Sequence, residues 1–575
     1  MTDEFKKELE ELKKTGEAPE WYSEASYITV SKGYRLKGET PRKMYKRVAK
    51  SVAHNLGKEE LEDAFFKAIW DNWLCPASPV LSNSGTDRGF PISCFGINVS
   101  DSVRSITEGI SEMATLSKNS GGVGVNFTEI RPRGTPIKGG ANGSSQGIIP
   151  FAKMYDSTIL GISQNVRRGA ASVNLDIEHG DWEEFARMRR PEGDINFQCG
   201  NLHHCAVVKD SFMQKVVDGD SDARKRWTEL MRSRMETGEP YIMYKDTANR
   251  MNPPAYKNMN FSNNFTNICS EIVLHADQDH SFICCLSSLN LAKYDEWKDA
   301  EIEGMSLPYL SILFLNGVLN EFISKAEHKW GLEKTVRSAR KGRAVGLGVL
   351  GWHTLLQSKM LPFDSFESMR LNAEIFRNMK EQALKASQDL AKEDGEPAWC
   401  ENTGMRNSHL LAIAPTRSNS IISGDVSAGI EPNIANVFVD KSAKGTFVKR
   451  NGHLEEVLEK YGKNDEKTWK NIARDYGSVQ GLSFLSENEK KVFLTAYEID
   501  QMAIIRQASQ RQQWVCQSQS VNLFFSTEVD PKFFNKVHLE AWKMGLKTLY
   551  YCRSRSGIRA DVASRDEGEC SSCEG

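Results

Sequence analysis

The chain has 575 residues, with 74 Lys and Arg against 76 Asp and Glu and a formal net charge of −2. That length calls for a large domain with smaller attachments, and the balanced charge excludes an electrostatic case for nucleic acid or an anionic membrane surface as partner. The N-terminal MTDEFKKELEELKK is charged from its third residue, which argues against a secretory signal, and the apolar runs reach only about half a membrane span. A soluble, cytoplasmic protein is expected.

Residues 1–75 read as a helical region. In TPRKMYKRVAKSVAHNLGKEELEDAFFKAIWDNWL, Thr40 and Pro41 have the character of an N-cap and first helical residue, followed by apolar positions three and four apart. From Pro76 to Tyr551 short apolar runs alternate with Gly-, Ser- and Asn-rich turns and with helical patterns such as DWEEFARMRR. Strand, loop and helix in repetition imply an α/β architecture with functional loops at one end of the strands. Residues 440–495 are rich in Lys and Glu and read as helical surface decoration. Residues 552–575 are polar and charged, which reads as a disordered tail.

Twelve cysteines are spread along the chain without a framework of spacings. In a reducing compartment most read as small buried hydrophobes. Cys94, Cys284 and Cys285 have no second pair at zinc-ligand spacing, so no metal site is expected in this chain. The terminal CSSCEG sets Cys570 and Cys573 three apart with nothing downstream to pack over them.

In SNNFTNICSEIVLH, Asn267, Cys269 and Glu271 alternate with Ile268 and Ser270. In an extended strand an amide, a thiol and a carboxylate would share one face, within reach of one small substrate. A half-buried strand with one polar face has the same spacing, so the pattern leaves both readings open. The loop APTRSNSIISGDVSAGIEP offers hydroxyls and backbone N–H groups suited to a phosphate, but without the Gly-Lys-Ser/Thr ending of an ATPase loop. GLKTLYYCRS places Tyr550 and Tyr551 side by side, which taken alone is aromatic core packing.

Together these motifs resemble the large, catalytic subunit of class I ribonucleotide reductases. The resemblance runs from about residue 40 to the C-terminus through SPVLSNSGT, SCFGINVSDSV, SGGVGVNFTEIRPRGTPIKGG, IIPFAKMYD, RRGAAS, NICSEI, CCLSSLNL, SAGIEP and LKTLYY. It implies a ten-stranded α/β barrel of two five-stranded halves, spanning residues 76–551, that shields a radical site from water. It also implies reduction of ribonucleoside diphosphates. Cys269 would form the thiyl radical, Glu271 would act as general base and Asn267 would bind the sugar hydroxyls. Cys94 and Cys284 would deliver reducing equivalents and close into a disulfide, with a one-residue slip to Cys285 left open.

The same resemblance assigns substrate contacts to Ser78, Ser93, Gly122, Pro415, Thr416, Arg417, Ser418, Asn419 and Ser420. It assigns a radical relay to Tyr550 and Tyr551, fed by a small subunit that carries the radical metallocofactor. It places a deoxynucleoside triphosphate or ATP effector with Mg2+ at Asp101, Arg131 and Lys138, with Arg167 relaying its identity. Homodimerisation is implied. An N-terminal ATP cone is expected to be lacking, because Cys94 arrives too early for one. Cys570 and Cys573 would then carry electrons from thioredoxin or glutaredoxin to the buried pair by thiolate exchange. An adenosylcobalamin-dependent reductase would not need the tyrosine pair, and a glycyl-radical enzyme would want a radical glycine and two more cysteines. An inactive nucleotide-binding regulator would not need the intact Asn267, Cys269 and Glu271.

Overall fold

The structure, a computed structural model, describes residues 2–137, 143–162, 169–190, 194–442 and 445–554. Lys138, Arg167, Cys570, Cys573 and the expected tail beyond residue 554 lie outside these residues.

Four helices open the chain: α1 (Thr2–Lys14), α2 (Glu24–Gly33), α3 (Pro41–Leu56) and α4 (Glu62–Trp70). The Thr40 side chain accepts from the Lys43 N–H and Pro41 occupies the first position of α3, as expected of a helix start. The apolar face of α3 (Met44, Tyr45, Val48, Val52) packs against α5 (Leu307–Ala326). The two helices come close because residue 317 is glycine: a Cβ there would lie 2.4 Å from the Val52 carbonyl. By length and composition α5 could cross a membrane, but 78% of its apolar window is buried inside the molecule, as in a core helix.

Besides a two-residue hairpin of Glu301–Ile302 with Met305–Ser306, the strands are β1 (Leu74–Pro76), β2 (Cys94–Asn98), β3 (Gly122–Asn126), β4 (Ala170–Asp176), β5 (Leu202–Val208), β6 (Tyr241–Tyr244), β7 (Phe282–Asn290), β8 (Val345–Leu350), β9 (Val437–Ser442), β10 (Gly445–Arg450), β11 (Leu523–Phe525), β12 (Thr548–Leu549) and β13 (Cys552–Ser554). Strands β2 to β6 pair in sequence order and all in parallel. Every residue in them is buried, which explains runs with little polar alternation.

The second half is built from β7, its parallel neighbour β8, two irregular segments and β12. Leu411 bridges to Leu347 of β8, Gln519 bridges to Ile413, and the Tyr550 N–H donates to the Val521 carbonyl at 2.9 Å. The halves meet at two antiparallel seams, β2 with β7 and β6 with β12. This is the expected barrel of two five-stave halves, with β1 added as a short outer strand on β7.

Two expectations need correction. Residues 440–495 are not only helical decoration: they include most of the β9–β10 hairpin and contribute to a small core of their own with Val437, Leu454, Leu458, Trp469, Ile472 and Phe493. Residues 552–554 belong to the fold rather than to a tail, because β13 pairs with β11 and Cys552 is buried.

Candidate active site

The chain from Phe261 to His275 is irregular and its middle is buried, so the alternation around Cys269 does not mark a strand. It marks a turn. The Asn267 side-chain oxygen accepts the Ile272 N–H at 3.0 Å, the Asn267 N–H donates to the Ile272 carbonyl, and Ser270 takes a left-handed φ of 67°. A non-glycine residue in that region is held there by its surroundings.

Both halves of the barrel grip this loop. In the first half, Asn174 of β4 accepts from the Thr266 N–H and donates to the Thr266 carbonyl, each at 3.2 Å. A Cβ on Gly124 of β3 would lie 2.1 Å from the same carbonyl, so only glycine lets the loop pass. In the second half, the Ser518 N–H donates to the Glu271 carbonyl at 2.8 Å and the Ser520 hydroxyl to the Cys269 carbonyl at 2.6 Å.

Three groups meet at the turn. The Cys94 thiol lies 3.6 Å from Glu271 Oε1, and Glu271 Oε2 lies 3.3 Å from Ser520 Oγ. The hydroxyl has one proton, already directed at Cys269, so a protonated Glu271 can donate to Ser520. Burial pushes the Glu271 carboxyl up to about 7, against nearby groups including Asn267, Cys94 and Ser520 that favour its charged form. Burial, then the Glu271 and Cys284 charges, push the Cys94 thiol well above its ordinary value. The Asn267 amide nitrogen has no hydrogen-bond partner of normal length among the described residues, so it is available to a ligand.

Cys284 of β7 stands directly opposite Cys94 in the seam register. Its sulfur accepts from Gln517 Nε2 at 3.0 Å, and burial keeps it protonated far above neutrality. Both sulfurs are free thiols. Such a pair holds the two hydrogens that a two-electron reduction consumes. Cys285 opposes Val345 of β8 instead, and burial pushes its thiol well above the ordinary value.

The other expected site residues fall into groups. Gly122 stands opposite Cys94 on β3 and donates its N–H to the Ser93 carbonyl, so Ser93 and Gly122 flank the thiol. Ser78 donates to Asn419 at 3.2 Å, and Asn419 donates to the Pro76 carbonyl. Thr416 has a left-handed φ of 54° and accepts the Gly429 N–H; it precedes the short helix Arg417–Ile422, so Pro415 to Ser420 run from a loop into the first turn of that helix, all buried except the half-buried Arg417. Asp101 and Arg131 form an ion pair at 2.6 Å, about one-third exposed.

Tyr550 and Tyr551 are buried in one apolar cluster with Cys269, Ile268, Cys205 and Tyr241. The ring centroids are 4.4 Å apart for Tyr550 and Tyr551, 4.6 Å for Tyr241 and Tyr550, and 5.0 Å for Tyr241 and Tyr551. Sequence reasoning missed Tyr241, Gln517, Ser518 and Ser520. The alternation of QSQS at 517–520 was a readable signal, since it puts two amides on one face and two hydroxyls on the other.

Comparisons with known proteins agree with this geometry. Residues 21–89 match the family described as "Ribonucleotide reductase, all-alpha domain", and residues 92–222, 219–400 and 398–552 match "Ribonucleotide reductase, barrel domain". A protein named as a ribonucleoside-diphosphate reductase large subunit in Frog virus 3 is 36% identical over 542 residues, covering 90% of this chain and 93% of its own length. The ribonucleoside-diphosphate reductase large subunit of Invertebrate iridescent virus 3 is 33% identical over 599 residues, covering 90% and 92%. The solved class Id ribonucleotide reductase alpha subunit of Actinobacillus ureae superposes with a TM-score of 0.86 at 38% identity, over 93% of this chain and 98% of that one. A clamped thiol-bearing loop inside a barrel with two antiparallel seams, matched along nearly the whole chain, shows that this protein belongs to the ribonucleotide reductase large-subunit family.

Proposed function

We propose that the chain reduces ribonucleoside diphosphates to deoxyribonucleoside diphosphates by radical chemistry at Cys269. The thiyl form of Cys269 takes the 3′ hydrogen of the ribose. Glu271 takes the 3′-hydroxyl proton, and Asn267 holds the sugar hydroxyls. The C2′ oxygen leaves as water, the Cys94 and Cys284 thiols supply two electrons and two protons, and the pair closes into a disulfide. Cys269 then returns its hydrogen to C3′. Ribonucleotide and dithiol become deoxyribonucleotide, disulfide and water.

The observation that carries this reading is the register of Cys94 opposite Cys284, with Glu271 3.6 Å from Cys94 and Cys269 two residues away on the clamped turn. The substrate diphosphate is assigned to Pro415–Ser420, where the loop enters the short helix, with Ser78, Ser93 and Gly122 around the sugar. Tyr551 and Tyr550 carry the radical to Cys269 from a small subunit that holds the metallocofactor. Asp101 and Arg131, with Lys138 and Arg167, take an effector deoxynucleoside triphosphate or ATP with Mg2+ at a homodimer interface. Cys570 and Cys573 re-reduce the buried pair and are themselves reduced by thioredoxin or glutaredoxin, which suits a cytoplasmic enzyme.

The test is reduction of CDP by the full chain with a radical-generating small subunit. Pre-reduced chain without external reductant should form dCDP and stop. With thioredoxin the native chain should continue, whereas Cys570→Ser and Cys573→Ser should stall after about one turnover. Reduction by Cys269→Ser would overturn the thiyl assignment. Reduction with adenosylcobalamin and no small subunit would overturn the assigned radical source.

A further inference from the structure

Beside the tyrosine cluster lies a buried polar group that the reaction above does not use. Its centre is the Glu239 carboxylate, 1% exposed at the entry to β6. Oε1 lies 2.6 Å from His203 Nδ1. Oε2 accepts the His204 N–H at 3.1 Å and lies 3.1 Å from His204 Nδ1 and 3.5 Å from Arg189 Nε. Arg189, then His203, are the nearby charges that hold the carboxyl well below its ordinary range despite burial, so it is an anion. A carboxylate is acceptor-only, so a contact of 2.6 Å requires the proton to sit on His203 Nδ1.

The same Nδ1 lies 3.3 Å from the Tyr551 hydroxyl, and the His203 ring meets the Tyr551 ring edge-on at 87°. The placement follows from the strands. Cys205 of β5 is in register with Tyr241 of β6, and His203 and Glu239 each stand two residues earlier, His203 within β5 and Glu239 just ahead of β6. His203 and Cys205 therefore share the face that looks onto Tyr241, Tyr550 and Tyr551. The His203 and Tyr241 rings are near parallel, with centroids 6.1 Å apart.

A buried carboxylate is costly, and a hydrophobic side chain of similar volume would fill this space without that cost. Its arrangement has a consequence for one atom outside the group, the Tyr551 oxygen.

We propose that His203, held by Glu239, is the positioning residue that fixes the Tyr551 hydroxyl against the Tyr241–Tyr550 pair. His203 Nδ1–H points chiefly at Glu239 and in part at the phenol oxygen, and Glu239 keeps the ring from turning away. His203 acts through Tyr551. This rests on the relay role assigned to Tyr551 above, but the bond itself can be tested without it.

The experiment compares His203→Asn with His203→Gln in the full chain. The Asn amide nitrogen stands where Nδ1 stands, whereas Gln keeps the bulk of histidine but places its amide nitrogen where Nε2 stands. A packing role would therefore favour Gln, and a positioning role favours Asn. The first readout replaces Tyr551 with 3-nitrotyrosine and titrates its absorbance. The charged groups around that phenol are Glu239, Arg189, Arg553, the last 5.0 Å over the ring, and His203 itself; the first three stay in place, and the Asn and Gln chains lack the imidazole alike, so they are compared with each other.

Loss of a donor to the phenolate raises the nitrophenol pKa, so that pKa should stand higher in His203→Gln than in His203→Asn. The second readout is CDP reduction with the small subunit. His203→Gln should lose about tenfold or more, and His203→Asn should stay within about threefold of native. Equal nitrophenol titrations in the His203→Asn and His203→Gln chains, or better turnover in Gln than in Asn, would overturn the proposal. If Tyr551→Phe still turned over, the relay reading would fall, while the titration would still report whether His203 holds the phenol.

Discussion

Cys94 and Cys284 stand directly opposite one another across the antiparallel seam between β2 and β7. Opposed residues in such a pair have Cα atoms about 4.5 or 5.5 Å apart, inside the range of about 4.4–6.8 Å that a disulfide spans. Cys285, one position along, is in register with Val345 of β8 and by strand alternation presents its side chain to the other face. Peptide mapping after CDP reduction without external reductant should recover a Cys94–Cys284 link in the native chain and in Cys285→Ser. Cys284→Ser should give none. A Cys94–Cys285 peptide would refute the register argument.

Glu271 is fully buried beside Cys94, and that burial governs its protonation. Its carboxyl is raised to about 7 by burial, so the base form grows as pH rises through that value, and CDP reduction should rise with it. Stability runs the other way. A carboxyl with a folded value above its unfolded one binds its proton more tightly in the native state. That contribution is complete below the unfolded value of 4.5 and is lost as pH rises through about 7. The shift corresponds to about 3 kcal/mol. Glu271→Gln should therefore melt higher than the native chain at about pH 8, match it at about pH 4, and reduce no CDP. Equal melting points across that range would remove the argument.

Gly124 sets how closely the barrel wall approaches the loop. Gly124→Ala would push a methyl onto the Thr266 carbonyl, where a Cβ has 2.1 Å of room, and backbone must move to admit it. Overpacking of this kind costs about 1–3 kcal/mol, and the displaced segment carries Asn267 and Cys269. Turnover should fall by about tenfold or more while far-UV circular dichroism stays native, since small misplacements of reacting groups are expensive. Native turnover by this variant would mean that the loop is not positioned by β3.

What the chain disclosed by itself was local or repeated. The α3 start was legible because Thr40 and Pro41 act within one turn; the recurrence of short apolar runs between turn residues pointed to an α/β fold without placing any one strand, and the Gly- and Ser-rich stretches read as turns hold the starts of β3 and β4. The turn at Asn267 was misread as a strand, since polar and apolar residues alternate there as they would on a half-buried sheet. Its conformation is imposed by Asn174, Ser518 and Ser520, which lie far away along the chain. The choice of Cys284 over Cys285 needed a strand register that no local pattern encodes. Tyr241 and His203 were invisible for the same reason: only packing brings strands β5 and β6 to the Tyr550–Tyr551 pair.

Cys516 is a thiol whose surroundings favour a thiolate. Burial pushes it up, but Lys380, the N–H groups of Leu410 and Leu411, and Lys547 together bring it below its ordinary value. The two N–H groups reach the sulfur at 3.1 and 3.2 Å, and the buried Lys547 donates to the Cys516 carbonyl at 2.6 Å. The other described cysteines with a perturbed thiol are all pushed up by burial, Cys94 and Cys284 among them. Cys516 is also the one described cysteine that is not fully buried. Because the thiolate is the nucleophile, brief alkylation near neutral pH should label Cys516 ahead of every other cysteine between residues 75 and 552. Lys547→Met should slow that labelling by about threefold to tenfold by removing one of the charges that favour the thiolate. Prior labelling of Cys94 or Cys284 would instead mean that the barrel interior opens faster than the Cys516 site reacts.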